Sequence, residues 1–416
     1  MERSHFPFLL TFRRQDIISF VGIIVILGIA YLFSENKKLI NIKIVIMAFL
    51  LQFFVALFSL YLETGKMVVQ KLSNGARHII DFSQEGVNFV FGPLANEWSF
   101  AINALPVIVF LSSLTAVLYH LKIMQIIVRL IGGALNKIIG TRIIESMNAA
   151  ANIFLGMDSS PLAIRPYLSK ISDAQMFTIM VSGLASVAGT VLLAYAQMGA
   201  QLEYLLAACF MSAPGGLLMS KIIMPDDPSQ SSQEKIQIRS SQSPHTNVIM
   251  AAASGASDGI KLAVSIGGML IAFVALIALI NSIFILLGSL VGIEDLTMQK
   301  ILGWVFSPIM FLLNIPWNEA QAAGALFGEK LILNEFVAYS HLTDYLSGMS
   351  EKTTVIMTFA LCGFANFASI AILMGSVGIL IPSKNEFIAS NGLKAVLAAS
   401  LANLLSASFA GILFGL

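Results

Sequence analysis

The chain of 416 residues is strongly apolar, with 57% hydrophobic and only 11% charged residues. Soluble domains carry roughly 25% charged residues, so the composition excludes a soluble protein and indicates an all-α, multi-pass membrane protein surrounded by lipid. The cell (inner) membrane is the expected location. The formal net charge of +1 argues against nucleic acid as a partner.

Apolar runs in the first half are long enough to cross the hydrocarbon core as helices. They are residues 17–33, 44–63, 100–120, 176–199 and 203–219. The first is predicted to be a retained span, because no clear signal-peptide cleavage site follows it. Residues 64–99 mix glycine, charged residues and aromatics, which favours short amphipathic helices lying on the membrane or on the protein.

Charged side chains divide residues 121–167 into apolar pieces too short to cross the bilayer alone. These side chains are Arg129, Lys137, Arg142, Glu145 and Arg165. We predict a re-entrant hairpin of two half-length helices that meet at residues 156–161. Pro161 cannot continue a helical hydrogen-bond ladder, and Ser159 or Ser160 is expected to cap the helix that restarts.

A serine- and glutamine-rich segment at residues 225–244 divides the chain near its middle and is predicted to be a solvent loop. Apolar runs follow at residues 260–292, 354–382 and 393–416. Between the first two of these runs the apolar pattern is broken, and Asn334 and Glu335 fall there. Irregular, polar backbone at membrane depth is tolerated only inside protein or along a cavity, so each half contains a candidate binding site.

Two short motifs recur in the two halves. The pattern Asn-x-Phe-aliphatic-small occurs at residues 152–156 and 334–338, and a run of small residues occurs at 183–189 and 363–369. The motifs keep their order and nearly the same spacing. Paired interruptions of this kind are typical of secondary transporters built from structural repeats, with the binding site near the midplane. Chance similarity between short apolar motifs is the alternative.

Two acidic residues fall at these interruptions, Asp158 in the first half and Glu335 in the second. A carboxylate at membrane depth is costly unless it meets a cation, a polar substrate or water. For Asp158 the alternative interpretation is a solvent-exposed helix cap. For Glu335 it is a structural ion pair with Lys330 or Arg165.

Neutral polar residues accompany these carboxylates. Asn366 and Ser369 lie about one helical turn apart, and with Phe364 nearby they suit a sugar or a base. Asn152 and Ser186 can offer neutral oxygens to a small hard cation. For both pairs, hydrogen bonding between helices is the alternative.

No sequence motif indicates an enzyme. The sequence contains no HExxH, Gly-x-Ser-x-Gly or Walker motif, so neither a hydrolase nor an ATP-driven pump is indicated. Its five histidines are scattered rather than spaced as metal ligands. Gradient-driven transport without an organic cofactor is therefore the expected activity.

Five stretches of the sequence resemble the concentrative nucleoside transporters, and the likeness runs from about residue 17 to the C-terminus. They are residues 148–156, 161–167, 316–320, 334–339 and 359–366. The resemblance implies eight spanning helices, two re-entrant hairpins and interfacial helices, arranged as inverted repeats with a scaffold and a moving transport domain. It also implies a homotrimer with an extracellular N-terminus that imports nucleosides by symport with Na⁺ or H⁺.

The resemblance divides the chain into three parts. Residues 17–90 would form the N-terminal spans and interfacial helix of the scaffold. Residues 98–199 would form a gate region with the third span, the first hairpin and the first broken helix. Residues 200–416 would form the C-terminal transporter region with the second hairpin.

The resemblance also implies roles for individual residues. The ribose-binding positions of the family match Glu335, Asn366 and Ser369. Its apolar contacts around the nucleoside match Phe364 and Val191. Its sodium ligands match Asn152, Leu155, Ser186 and Val187, of which Leu155 and Val187 offer backbone carbonyls.

The sequence departs from the family at the tip of the first hairpin. The family commonly reads Gly-Gln-Thr-Glu-Ala-Pro there, whereas residues 156–161 read Gly-Met-Asp-Ser-Ser-Pro. Met157 and Ser159 replace residues that contact the base, and Asp158 replaces a hydroxyl that helps to bind the base and the ion. We therefore expect an altered base preference at Met157, Asp158 and Ser159, with Asp158 also joining the cation site or accepting a proton.

Two other functions stay open on the sequence alone. A carrier of a free nucleobase or a modified nucleoside would keep the transporter architecture. An uncoupled channel would pass its solute regardless of any ion gradient. The proposal of a sugar-binding transporter requires that Glu335 and Asn366 lie together inside the protein rather than facing lipid.

Overall fold

The computed structural model describes residues 14–227, 246–290 and 292–414. Most of the predicted solvent loop therefore lies outside the described residues. The described backbone is helical, without strands, because a helix satisfies the backbone hydrogen bonds within its own segment, as lipid requires. The predicted all-α class is confirmed.

The N-terminal part of the fold is peripheral. Its helices are α1 (Arg14–Leu32), α2 (Ile42–Leu60), α3 (Glu63–Phe91) and α4 (Leu105–His120). The prediction of several short helices before α4 is wrong, since α3 is one amphipathic helix of 29 residues. Packing of its buried face stabilises the whole helix despite the glycines within it.

The two halves of the remaining chain repeat one order of elements: an outer helix, two short arms joined by a turn, a broken helix and a long helix. The first set is α5 (Ile123–Ile139), α6 (Ile143–Leu155), the 3-10 helix Ser160–Lys170, α7 (Asp173–Ala185), α8 (Gly189–Gln197) and α9 (Leu202–Ile223). After α10 (Val248–Leu290), the second set is α11 (Met298–Leu312), α12 (Trp317–Ile332), α13 (Glu335–Tyr345), α14 (Glu351–Leu361), α15 (Ala368–Leu380) and α16 (Asn385–Leu413).

Six helical segments of the described chain are long and apolar enough to cross a membrane. They are Ile42–Leu60, Phe100–His120, Asp173–Gln197, Leu202–Ile223, Val248–Leu290 and Pro382–Leu413. The described chain also contains a shorter apolar helix, Ile17–Leu32 within α1, and the pair α11–α12, which is apolar and long enough only when both helices are taken together. The two helices α11 and α12 meet at an angle of 117°, and α12 leads directly into α13 through the short turn before Glu335.

The two broken helices begin in the same way. Ser172 accepts a hydrogen bond from the backbone of Gln175 at the start of α7, and Ser350 accepts one from Thr353 at the start of α14. These serine caps satisfy backbone donors that have no partner inside the helix. Each helix then stops part-way, at Ser186 and at Cys362, and resumes as α8 or α15.

The residue-by-residue match between the two Asn-x-Phe motifs is wrong. Asn152 lies in the last turn of α6, where its carbonyl accepts the hydrogen bond from Gly156 that ends the helix. Asn334 instead caps the start of α13. Glu329 is the residue of the second hairpin that is structurally equivalent to Asn152, because its carbonyl accepts the hydrogen bond from the Leu333 N–H that ends α12. Asparagine suits both sides of a turn, so similar motifs occupy different places.

The interior of the fold lies at α7, α9 and the C-terminal half of α16, which are almost entirely buried, whereas α10 is mostly exposed. α10 begins twelve residues before the predicted apolar run 260–292. Its early turns contain Gly255 and Gly259, which lie so close to α4 that a Cβ at Gly259 would be 2.7 Å from the Val109 Cα. Small residues permit this close approach and explain the helical extension.

Candidate functional site

The two broken helices meet at their interruptions. The backbone N–H of Phe364, in the second break, donates to the Ser186 carbonyl in the first at 3.2 Å. Asn403 of α16 lies behind both breaks and donates to the carbonyls of Ala185 at 2.8 Å and Cys362 at 3.0 Å. Carbonyls that the breaks leave without helical partners are thus satisfied by one side chain.

A buried lysine completes this support. The Lys330 ammonium group donates to the Ala360 carbonyl at 2.9 Å and to Asn403 Oδ1 at 2.8 Å. It thereby neutralises the negative end of α14. Lys330 is not hydrogen-bonded to Glu335, and Arg165 is exposed. The alternative of a direct ion pair between Glu335 and either cation is therefore wrong.

Glu335 and Asn366 lie together inside the protein. Asn334 caps α13 by accepting from the Val337 N–H at 3.0 Å, which places Glu335 at the start of the helix. Glu335 Oε1 accepts from the Tyr195 hydroxyl at 2.9 Å, and Oε2 accepts from Asn366 Nδ2 at 3.0 Å. The glutamate is 3% exposed, so these bonds hold a desolvated carboxylate in place.

Asn366 also organises the helix that follows it. Its Oδ1 accepts from the backbone N–H of Ser369 at 2.8 Å, near the start of α15. The amide thus connects the Glu335 carboxylate to a helix N-terminus. Ser369 itself is buried beside it.

One cavity of about 430 Å³ brings all predicted substrate contacts together. The lining includes Met157, Asp158, Ser159, Val191, Glu335, Phe364, Asn366 and Ser369. This volume falls within the range of small-molecule pockets. The structure therefore unites the residues of both hairpins and both breaks around one space.

At the tip of the first hairpin, the predicted serine cap of the returning helix is absent. Asp158 is exposed toward the cavity and its Oδ2 accepts from the Ser159 hydroxyl at 3.1 Å, while Met157 is buried. Ser159 does not cap the returning 3-10 helix. Ser160 instead donates to Asn152 Oδ1 at 2.7 Å. The prediction of a serine cap is wrong because both hydroxyls bond to side chains of the hairpin.

The predicted cation ligands lie where α6 and α7 end. Ser186 Oγ donates to the Asn152 carbonyl at 3.2 Å, so the two residues are adjacent. Leu155 is the last residue of α6, and Val187 lies in the break after α7. Helix C-termini present carbonyls and partial negative charge. These neutral oxygens, with the Asp158 carboxylate at the neighbouring tip, are suited in chemical type to a small cation.

The sequence interpretation missed Tyr195 and the opposite wall of the cavity. Within the described chain, the Tyr119 hydroxyl and Gln125 Oε1 are buried without a hydrogen-bond partner, and both residues line the cavity with Asp258 of α10. Unpaired polar atoms at membrane depth are a usual sign of a polar ligand. Their positions in ordinary helices gave no signal in the sequence.

Three family profiles match consecutive parts of the chain. "Na⁺ dependent nucleoside transporter N-terminus" matches residues 21–94, "Nucleoside recognition" matches 101–202, and "Na⁺ dependent nucleoside transporter C-terminus" matches 204–411.

Similar proteins span nearly the whole chain. Nucleoside permease NupC of Helicobacter pylori is 46% identical, over 97% of this chain and 99% of the permease. Putative nucleoside permease NupX of Escherichia coli is 37% identical, with coverage of 96% and 99%. Among solved structures, CNTnw in an inward-facing substrate-bound state has a TM-score of 0.92 at 44% identity, covering 97% of this chain and 99% of that one. A CNTnw variant in an outward-facing state has a TM-score of 0.90 at 44% identity, with coverage of 97% and 98%.

Proposed function

Because this chain belongs to the family of Na⁺-dependent nucleoside transporters, we propose that it is a symporter that imports nucleosides using a Na⁺ or H⁺ gradient. The family consists of multi-pass membrane transporters rather than enzymes. Nucleoside transport is therefore its activity. We further propose which ion drives transport, which residues bind the nucleoside and the ion, and how the protein moves during the cycle.

The hydrogen bonding of Glu335 carries the proposal. Each oxygen of this buried carboxylate accepts one bond from a neighbouring side chain, Tyr195 or Asn366. An ionised carboxylate offers about four lone-pair sites, so acceptor capacity is left for the hydroxyls of a ribose. Such charge-assisted bonds are stronger than neutral ones. Asn366 and Ser369, which line the same cavity, are proposed to bind the sugar with it.

The base is proposed to lie against the first hairpin. Val191 and Phe364 supply apolar surface, and Met157, Asp158 and Ser159 supply the altered tip. The Asp158 carboxylate accepts hydrogen bonds, so it favours a base that presents amino or imino donors. This supports a changed base preference or a modified nucleoside as the substrate.

The coupling ion is proposed to bind between the ends of α6 and α7. Asn152 and Ser186 would supply side-chain oxygens, and Leu155 and Val187 would supply carbonyls. The adjacency of Asn152 and Ser186 supports this arrangement. Asp158 is proposed to add its negative charge to the site. Any movement of the hairpin tip would then change the base site and the cation site together.

Transport is proposed to proceed by alternating access. CNTnw has been solved in inward- and outward-facing states, which supports the same cycle here. We assign residues 17–90 to the scaffold, residues 98–199 to the gate region and residues 200–416 to the C-terminal transporter region. In this proposal the scaffolds of three copies form a homotrimer fixed in the lipid bilayer, and the transport domain of each copy moves relative to its scaffold.

Uptake into proteoliposomes tests the function. A panel of uridine, adenosine, guanosine, their deoxyribosides and their free bases is offered under imposed Na⁺ or pH gradients. We expect ribonucleosides to accumulate above equilibrium only with a gradient. Flux that ignores both gradients would indicate a channel. Equal uptake of free bases would indicate a nucleobase carrier instead.

Two variants test the assigned roles. Glu335→Gln removes the charge that strengthens the ribose bonds, and we expect uptake to fall by about 10- to 100-fold. Asp158→Asn keeps the size of the side chain but adds a donor, so we expect the ranking of bases to change. An unchanged ranking would remove Asp158 from the base site, and full uptake by Glu335→Gln would remove Glu335 from the sugar site.

A further inference from the structure

A carboxylate and an imidazole face each other across the second hairpin, behind the turn that carries Glu335. Glu329 of α12 has 0% exposed surface, and both of its carboxylate oxygens lie 3.0 Å from His341 Nδ1 on α13. Gln299 of α11 donates to the same carboxylate at 2.8 Å. The His341 side chain is 28% exposed. A buried charge is therefore paired with a titratable ring that is partly accessible.

The first hairpin has a hydrogen bond in the equivalent position, but it joins neutral side chains instead of an acid and a base. Asn152 and Glu329 each accept, on their carbonyls, the backbone hydrogen bond that ends the first arm. Each side chain also bonds across the turn to the returning arm, Asn152 to Ser160 and Glu329 to His341. The first hairpin thus presents neutral oxygens where the second presents an acid and a base. Neutral oxygens suit a metal cation, whereas an acid–base pair suits a proton.

The charges around the pair determine what it can hold. When the pair holds the transferable proton, Glu329 is negative, His341 is positive and the net charge of the pair is zero. Loss of that proton leaves a buried negative charge, which is costly at membrane depth. Asp344 and Tyr345 are the nearby titratable groups of α13. The lysines of α11 and α12 bond elsewhere, Lys300 to the Glu294 carbonyl and Lys330 to the Ala360 carbonyl.

We propose that Glu329 and His341 form a proton-binding site whose occupancy is coupled to nucleoside binding at Glu335. The inference rests on the proposed nucleoside transport and adds a second, protonic ion site to it. Among the described residues no group of three or more His, Cys, Asp and Glu side chains could hold a metal ion. The proton binds to and leaves His341, and Glu329 keeps its charge.

The coupling follows from the position of the pair. Glu329 and His341 join the two arms of the hairpin, and Glu335 begins the second arm. With the proton bound, opposite charges hold the arms together and fix Glu335 beside Asn366. Without it, the neutral imidazole can still donate an Nδ1–H to the carboxylate, but the attraction between opposite charges is lost and the bond across the arms is weaker. Gln299 extends the network to Asn281 of α10 at 3.0 Å, so the site also contacts the long peripheral helix.

Proton uptake on nucleoside binding is the direct test. Calorimetric titration of the purified full-length protein, at fixed Na⁺, is carried out in buffers of different ionisation enthalpy with the best-bound ribonucleoside of the panel. We expect net proton uptake by the wild type and a fall in affinity of about three- to tenfold between pH 6 and pH 8. The sign follows because the protonated pair holds the binding conformation.

Glu329→Gln and His341→Gln are expected to bind the nucleoside with no proton uptake and with an affinity independent of pH. A merely structural pair would change thermal stability but not the proton count. The matched control is His78→Gln, since His78 pairs with Asp81 on the surface of α3 with 83% of its side chain exposed. This control is expected to keep the proton uptake.

The outcomes separate this inference from the proposed function. If the wild type binds no nucleoside, the proposed function fails. Nucleoside binding with identical enthalpy in every buffer would leave that function standing and overturn the proton site. Proton uptake that persists in the two hairpin variants, or disappears only in Asp158→Asn, would overturn it as well. If Glu329→Gln does not fold, His341→Gln gives the same test.

Discussion

At the scale of single residues, the site depends on polar groups that would be costly in lipid without partners. Glu335 is held by Tyr195 and Asn366, and each of these bonds is about 3 Å long. Asn152 and Ser186 are held in the same way at the ends of α6 and α7. Because their partners are fixed, these side chains are preorganised for a ligand rather than free to rearrange.

Ser186→Ala is the residue-scale prediction for the cation site. Loss of one neutral oxygen ligand should raise the Na⁺ concentration for half-maximal uptake by about fivefold, because a hydrogen-bond-sized contribution of about 1 kcal/mol is lost. Uptake is measured against Na⁺ concentration at saturating nucleoside. Ser212→Ala, which removes a buried hydroxyl bonded only to the Cys209 carbonyl in the described chain, is the control. Equal Na⁺ dependence of both variants would remove Ser186 from the site.

At the scale of elements, the central feature is the pair of broken helices supported from behind by α16. Asn403 bonds to the end of α7, to the second break and to Lys330 of α12. The breaks create the site by exposing backbone groups and helix ends at membrane depth. Because one helix, α16, donates hydrogen bonds to the free carbonyls of both breaks, it fixes the position of the two halves of the site relative to each other.

Asn403→Ala tests this support. The change leaves two carbonyls and part of the Lys330 ammonium group unsatisfied, and each such buried group costs about 1–3 kcal/mol. We expect a clear fall in the thermal unfolding midpoint in detergent, together with loss of nucleoside binding. Asn391→Ala on the same helix is the control, since Asn391 bonds only within α16 in the described chain. Equal midpoints for the two variants would contradict the role of Asn403.

At the scale of the whole molecule, a buried centre is surrounded by exposed apolar helices. α7, α9 and the C-terminal half of α16 are almost fully enclosed, whereas α10 and much of α3 present apolar side chains outward. Phe89 of α3 is 91% exposed. Lipid and neighbouring copies of the chain are expected to cover such surfaces.

The oligomeric state is the prediction at this scale. Native mass spectrometry of the protein in detergent should show three copies of the 44.8 kDa chain, with lipid attached. Substitution of Phe89 by Ser should weaken the assembly if α3 contributes to the contact. The same substitution at the partly buried Phe110 of α4 is the control. A monomer under mild conditions would contradict the homotrimer.

The order of elements could be predicted from the sequence because lipid imposes a simple rule. A long apolar run must be helical, and charged or helix-breaking residues within it must be enclosed by protein. Hence the sequence indicates Asp158 and Glu335 as candidate site residues, and both line the cavity. The resemblance in motifs such as 334–339 led to the family that the comparisons confirm. The lengths of α3 and α10 were missed because helix packing, rather than hydropathy, extends them.

The partners of each polar group were decided only by the tertiary structure. Tyr195 and Glu335 are 140 positions apart, and Asn403 and Ala185 are 218 apart, so no local pattern could pair them. The same holds for the place of Asn334, which the sequence matched to Asn152 and the hairpin geometry assigns to a helix cap. Sequence alone determined which residues could not face lipid, because transfer energy depends on residue type. Folding decided what they face instead, because hydrogen bonds depend on position in space.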